Sequence, residues 1–141
     1  MSKSIVLYAD DDLDDRELMA EAFKVYENAI ELRVFEDGVD LLQHLYNEKP
    51  EACLVILDIN MPRINGKDIL RILKTHPDYD ETSVVLFTTS SSSEDKLFAK
   101  HYNVGFVTKP LTVGQMDKII DRFLDYCTED EKNKFWGSKK F

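Results

Sequence analysis

The sequence predicts an α/β domain: a single sheet of five parallel strands with helices on both faces. Two observations carry this. Five short apolar runs alternate with five segments whose apolar residues recur at the helical period, an alternation that lays strands parallel and helices across the sheet. The runs Ile5-Val6-Leu7-Tyr8-Ala9 and Cys53-Leu54-Val55-Ile56-Leu57 are also continuously apolar, as strands covered on both faces must be. With 43% hydrophobic residues in 141, the chain has the length and apolar material for one such core without disulfide staples.

The elements follow in order. The first strand, 5–9, is closed by acids, and a helix is predicted over 13–26, with apolar residues at Leu18, Met19, Ala22, Phe23 and Tyr26 and aspartates at its start. Residues 31–35 form a shorter, more polar strand suited to a sheet edge, broken by Asp37-Gly38. A second helix carries Val39, Leu41, Leu42, Leu45 and Tyr46 and ends near Pro50. The third strand, 53–57, stops at Asp58, and Pro62 and Gly66 mark a loop. Ile69, Leu70, Ile72 and Leu73 define a third helix ended before Pro77. The fourth strand, 83–87, leads to Ser90-Ser91-Ser92-Ser93, where Ser91 with Glu94 or Ser92 with Asp95 matches a capping box for a fourth helix. A last strand at 105–108 precedes a fifth helix through Met116, Ile119, Ile120, Phe123, Leu124 and Cys127.

Charge narrows the partners. Eighteen basic residues against 27 acidic ones give a net charge of −9, which opposes non-specific nucleic-acid binding and attraction to anionic membranes. Cys53 and Cys127 sit in apolar patterns with no CxxC pair, so they read as reduced, buried thiols rather than metal ligands. No apolar run has the length of a signal peptide or a spanning helix, and a cytoplasmic location is expected. One domain over 1–127 is expected, followed by a short polar tail over 128–141 with Phe135, Trp136 and Phe141 and no output domain.

Ligands of an open parallel sheet bind outside the carboxyl ends of its strands. There the chain sets Asp10-Asp11-Asp12 after the first strand, Asp58 after the third, Thr88 after the fourth and Lys109-Pro110 after the fifth. Crowded carboxylates need a cation between them, and hard oxygen ligands with room for water suit Mg²⁺. A lysine and a threonine hydroxyl can each hold a phosphoryl oxygen, and a further carboxylate can accept the phosphoryl group. Asp12 and Asp14 read better as caps of the first helix. The Asp10, Asp12, Asp14, Glu21 spacing imitates a calcium loop but has Asp15 where that loop needs Gly. His44, His76 and His101 fall at no strand end, so no phosphotransfer histidine is read.

Together, Asp10-Asp11, Asp58 with Asn60-Met61-Pro62 and Gly66, Thr88, and Lys109-Pro110 resemble the receiver domain of two-component response regulators over about 4–127. The resemblance implies a flavodoxin-like (βα)5 fold with strand order 2-1-3-4-5. It implies Asp58 as phosphoacceptor; Mg²⁺ held by Asp10, Asp11, Asp58 and the backbone carbonyl of Asn60; Thr88 and Lys109 as ligands of the phosphoryl group; Thr88 and Phe106 as switch residues; and a cis Lys109-Pro110 bond. It implies a histidine kinase or histidine phosphotransfer protein as donor. A downstream protein would bind a face of helix four, strand five and helix five, including Lys96, Leu97, Lys100, Phe106 and Lys118, with the chain a monomer or a phosphorylation-dependent dimer. Two departures stand out: Thr89 replaces a smaller residue beside the acceptor, and His101-Tyr102-Asn103-Val104-Gly105 is a residue short and lacks the usual Gly-Ala turn.

The resemblance implies a signalling protein rather than an enzyme, one that catalyses only its own phosphorylation and dephosphorylation. The alternatives are a receiver-like binding module independent of phosphorylation, a Mg²⁺-dependent aspartyl-phosphate hydrolase of the haloacid-dehalogenase type, and a flavin module. The intact Asp10, Asp11, Asp58, Thr88, Lys109 set opposes the first. The hydrolase would carry its nucleophile on the first strand, with a second Asp two residues on, where this chain has Asn60. The acidic loop after the first strand is hostile to a flavin phosphate.

Overall fold

A computed structural model describes residues 3–109 and 113–126. Five strands, β1 (Ser4–Ala9), β2 (Ile30–Phe35), β3 (Ala52–Leu57), β4 (Ser83–Thr88) and β5 (Gly105–Thr108), pair in parallel in the order β2-β1-β3-β4-β5. The helices are α1 (Leu13–Phe23), α2 (Gly38–Glu48), α3 (Gly66–Thr75), α4 (Ser93–His101) and α5 (Val113–Leu124).

Strand alternation divides the core into two layers. Val6, Tyr8, Leu54, Ile56, Val85, Phe87 and Val107 face α1 and α5, packing on Met19, Phe23, Met116, Ile120 and Phe123. Leu7, Ala9, Val55, Leu57, Val84 and Leu86 face α2, α3 and α4, packing on Leu41, Leu45, Ile69, Leu70, Leu73 and Ala99. The central strands are therefore apolar along their middle residues, and β2, paired on one side only, carries the exposed Val34.

Several local features refine the sequence reading. The first helix is α-helical only to Phe23; Lys24–Tyr26 tightens into a 3-10 turn that still buries Tyr26. The fourth helix is capped by Ser92, whose Oγ accepts from the Asp95 amide at 3.1 Å, so the second of the two boxes is the one used. The short α4–β5 connection closes through Asn103, which takes φ 55; its amide donates to the Lys100 carbonyl and that of Val104 to the Ala99 carbonyl. This is a Schellman closure in which Asn, tolerant of left-handed backbone, stands in for Gly. Cys53, the second residue of β3, is half-buried rather than buried and packs against the layer facing α1 and α5. Cys127, the tail at 128–141 and the Lys109-Pro110 bond lie outside the described residues.

Candidate functional site

Strand pairing sets the site. Beyond the paired residues Ala9 and Leu57, the Asp58 amide donates to the Ala9 carbonyl at 3.1 Å, and the Asp10 amide donates to the Phe35 carbonyl at 3.1 Å. Asp10 and Asp58 thus leave adjacent strands at the same level. On the far side Thr88 pairs with Thr108, and the Lys109 amide donates to the Thr88 carbonyl at 2.7 Å. The apolar runs end at one edge of the sheet, and the first polar residue of each is delivered there.

Asp10, Asp58 and Thr88 are buried, and Asp11 is exposed. One carboxylate oxygen from each of Asp10, Asp11 and Asp58 lies within 4.8 Å of the others. Lys109 Nζ reaches into this group, 2.8 Å from Asp10 Oδ2 and 3.3 Å from Asp58 Oδ2. Asp10 is the best-held acid: Oδ2 also accepts from the Tyr8 hydroxyl at 2.6 Å, and Oδ1 accepts from the Asp12 amide at 3.0 Å. The Thr88 hydroxyl accepts from the Ser90 amide at 3.2 Å. Asn60 is exposed, two residues beyond Asp58, and Thr89 is exposed beside Lys109 in an open groove. Phe106 is half-buried in the layer that packs under α4.

The electrostatics follow from burial. Burial, with the Asp10 charge adding to it, pushes the Asp58 carboxyl up to about 6, against the pull of Lys109. Burial alone would lower the Lys109 ammonium, but the hydrogen bonds it donates to Asp10 and Asp15 and the surrounding carboxylates hold it above the usual lysine range. Burial also pushes the Tyr8 phenol up, reinforced by Asp10, so it remains a donor.

Three residues of the site were not singled out from the sequence. Asp15, on the first turn of α1, holds Lys109 Nζ at 2.8 Å. Its amide is capped by Asp12 at 3.0 Å, and Arg16 Nη1 donates to the Asp10 carbonyl at 2.9 Å, which ties the helix start to the acidic loop. Tyr8 lies inside the apolar run; its signal was the two-residue spacing to Asp10, which puts both on one face of the strand path. Asp15 had a weaker signal, a second acid one helical turn after Asp11.

The donor set is that of a hard divalent cation: carboxylate oxygens only, one member open to water, and four carboxyl groups against one ammonium. A carboxylate beside an ammonium is also equipped to accept and hold a phosphoryl group.

The family model for the response regulator receiver domain matches residues 6–121. Response regulator Rcp1 of Synechocystis sp. is 27% identical over 131 residues, 89% of this chain and 89% of that protein. This chain spans 32% of two uncharacterised response regulatory proteins of Staphylococcus epidermidis, each 34% identical where they match. Among solved structures, the Mn²⁺-bound form of Rcp1 superposes with a TM-score of 0.76 at 26% identity, covering 84% of this chain and 90% of that one. The phosphorylated cyanobacterial phytochrome response regulator RcpA, at 23% identity, shares the fold with a TM-score of 0.80, covering 90% of this chain and 98% of that one. The acidic edge of the sheet and a family match across most of its length lead to one conclusion: the chain belongs to the response regulator receiver domain family.

Proposed function

We propose that the chain is a phosphorylation-activated signalling switch in which Asp58 accepts a phosphoryl group from a histidine kinase or a histidine phosphotransfer protein. The observation that supports this most is the convergence of Asp10, Asp11, Asp58 and Lys109 at the carboxyl ends of β1, β3 and β5. Asp10, Asp11, Asp58 and the Asn60 backbone carbonyl would hold Mg²⁺, which when bound supplies charge neutralisation for the phosphoryl oxygens.

In the transfer, an Asp58 carboxylate oxygen forms a bond to phosphorus as the donor's P–N bond breaks. The bonding pair leaves with the imidazole nitrogen, and the product is an aspartyl phosphate. Asp58 must be ionised to attack; a carboxyl titrating near 6 meets this at neutral pH. The Lys109 ammonium pairs with one phosphoryl oxygen, and the Thr88 hydroxyl, turned inward, donates to another. Movement at Thr88 and Phe106 shifts an equilibrium between two conformations of the α4–β5–α5 face. Lys96, Leu97, Lys100 and Lys118 on that face are exposed, with Leu97 at 64% exposure, and a downstream protein would read them. The receiver unit occupies 1–127, acts in the cytoplasm as a monomer or a phosphorylation-dependent dimer, and passes its signal to that protein or relays the phosphoryl group. Among the described residues no helix is long and apolar enough to cross a membrane.

The test is intact mass after incubation with Mg²⁺ and acetyl phosphate, with Asp58→Asn alongside. One added phosphoryl group, lost with EDTA and absent from the variant, is expected. Gain in the variant would move the acceptor elsewhere. No gain, and no Mg²⁺-dependent response to beryllofluoride, would leave a phosphorylation-independent binding module.

A further inference from the structure

Lys109 is held by more acids than the phosphoryl chemistry requires. Its ammonium sits 2.8 Å from Asp10 Oδ2, 2.8 Å from Asp15 Oδ2 and 3.3 Å from Asp58 Oδ2. An ammonium has three N–H donors, so these carboxylates take all of them. Asp58, the longest contact, is the weakest claimant. Asp15 comes from α1 rather than a strand end, and it draws the ammonium toward the helix.

We propose that Asp15 is a positioning residue: its carboxylate competes with the phosphoryl group for the Lys109 ammonium and so sets how readily the activated state forms. This rests on the reading of Asp58 as acceptor. A phosphoryl group there brings strong acceptor oxygens to an ammonium whose donors are already committed. Phosphorylation removes the Asp58 carboxylate's own claim, yet with Asp10 and Asp15 still holding the ammonium, Lys109 centres on the new group only by giving up one of those two. Asp10 is the costly one to abandon, being fully buried with its Oδ2 shared between Lys109 and the Tyr8 hydroxyl. The Asp15 side chain is 31% exposed, and water replaces the ammonium when it lets go. Asp15 is therefore the tether that yields, and the cost of breaking it is charged against the activated state.

The experiment reads Lys109 directly in the full chain, by ¹H–¹⁵N correlation of lysine ammonium groups, with the Lys109 signal assigned by its loss in Lys109→Arg. In the metal-free, unphosphorylated protein Asp15→Asn shifts that signal. With saturating Mg²⁺ and beryllofluoride, the wild-type and Asp15→Asn signals coincide, because Lys109 has left Asp15 in both. Calorimetry on the same samples at saturating Mg²⁺ finds beryllofluoride bound about three- to tenfold more tightly by Asp15→Asn, the scale of one partly exposed charge-assisted hydrogen bond, and Asp15→Glu returns the affinity toward wild type. A Lys109 signal that depends on Asp15 equally in both states makes Asp15 a fixed brace and overturns the proposal, as does an unchanged beryllofluoride affinity. Wild-type protein that binds no beryllofluoride at all would instead overturn the assignment of Asp58.

Discussion

Gly66 packs so closely on Asp58 that a Cβ on Gly66 would stand 2.2 Å from the Asp58 carbonyl oxygen. The contact is steric, with the Gly66 amide donating to the Ile59 carbonyl at 2.9 Å and no left-handed backbone involved. The first residue of α3 thereby clamps the main chain that carries the candidate acceptor. Gly66→Ala pits a methyl group against backbone rather than a movable side chain. It is expected to cost about 1–3 kcal/mol in urea unfolding and to weaken Mg²⁺ binding measured by calorimetry. A variant as stable as wild type would show that the α3 start shifts freely without moving Asp58.

The Tyr8 hydroxyl gives Asp10 a donor from beneath the site, in the apolar layer facing α1 and α5. Tyr8→Phe keeps the ring and its packing near Phe87 and removes only that donor. Loss of a buried hydrogen bond to a charged acceptor costs about 1.5–3 kcal/mol. Urea denaturation of the metal-free variant should find a loss in that range. Phe at this position with no loss would mean that Lys109 and the Asp12 amide satisfy Asp10 alone.

Asp58 makes the metal-free fold sensitive to pH in a known direction. Its carboxyl titrates at about 6 in the fold against 3.8 for an ordinary aspartate in the unfolded chain, so between those values the folded state holds more proton than the unfolded one. Stability must therefore fall as the pH rises from about 4 to about 6 on account of this group, the reverse of a salt-bridged acid. Thermal melts of wild type and Asp58→Asn without Mg²⁺ isolate the effect: the difference between them should grow in favour of the variant across that interval. Parallel curves would place the titration elsewhere. With Mg²⁺ present, affinity should drop as the pH falls below about 6, since proton and metal compete for the same oxygens.

What the sequence made legible follows from contrast. Asp10 and Asp58 each end an apolar run, and Lys109 directly follows the last strand after Thr108, so the break in pattern marks the strand end and the site together. Asp15 offered no such break: acids in the first turn of a helix are ordinary partners of its dipole, and only the fold shows that this one turns toward Lys109. Tyr8 was hidden for the opposite reason, since its ring belongs in the apolar run and only its hydroxyl has business at the site. The Ser90 to Ser93 stretch permitted two capping registers, and Asp95 decides between them: it ion-pairs with Lys67 at 2.6 Å and accepts from Ser90 Oγ at 2.6 Å, contacts across elements that no local motif encodes.

Among the described residues three non-glycine residues adopt positive φ, Lys49 at 47°, Arg63 at 68° and Asn103 at 55°, and their chemistry ranks the strain each carries. Asn tolerates this region; Lys does not. Lys49 closes α2, its amide donating to the Leu45 carbonyl at 3.1 Å, a position where Gly is the preferred residue. Lys49→Gly should therefore raise stability by about 0.5–1 kcal/mol, while Asn103→Gly, made at the equivalent place after α4, should gain less. Arg63 differs again, because its guanidinium pairs with Asp37, the N-cap of α2. Removing that side chain gives up the ion pair in the same step that relieves the backbone, so Arg63→Gly should gain less than Lys49→Gly. Chemical denaturation of the three variants checks the order. If Lys49→Gly gave no gain, the cost of left-handed lysine would already be met by the chain geometry that Pro50 imposes.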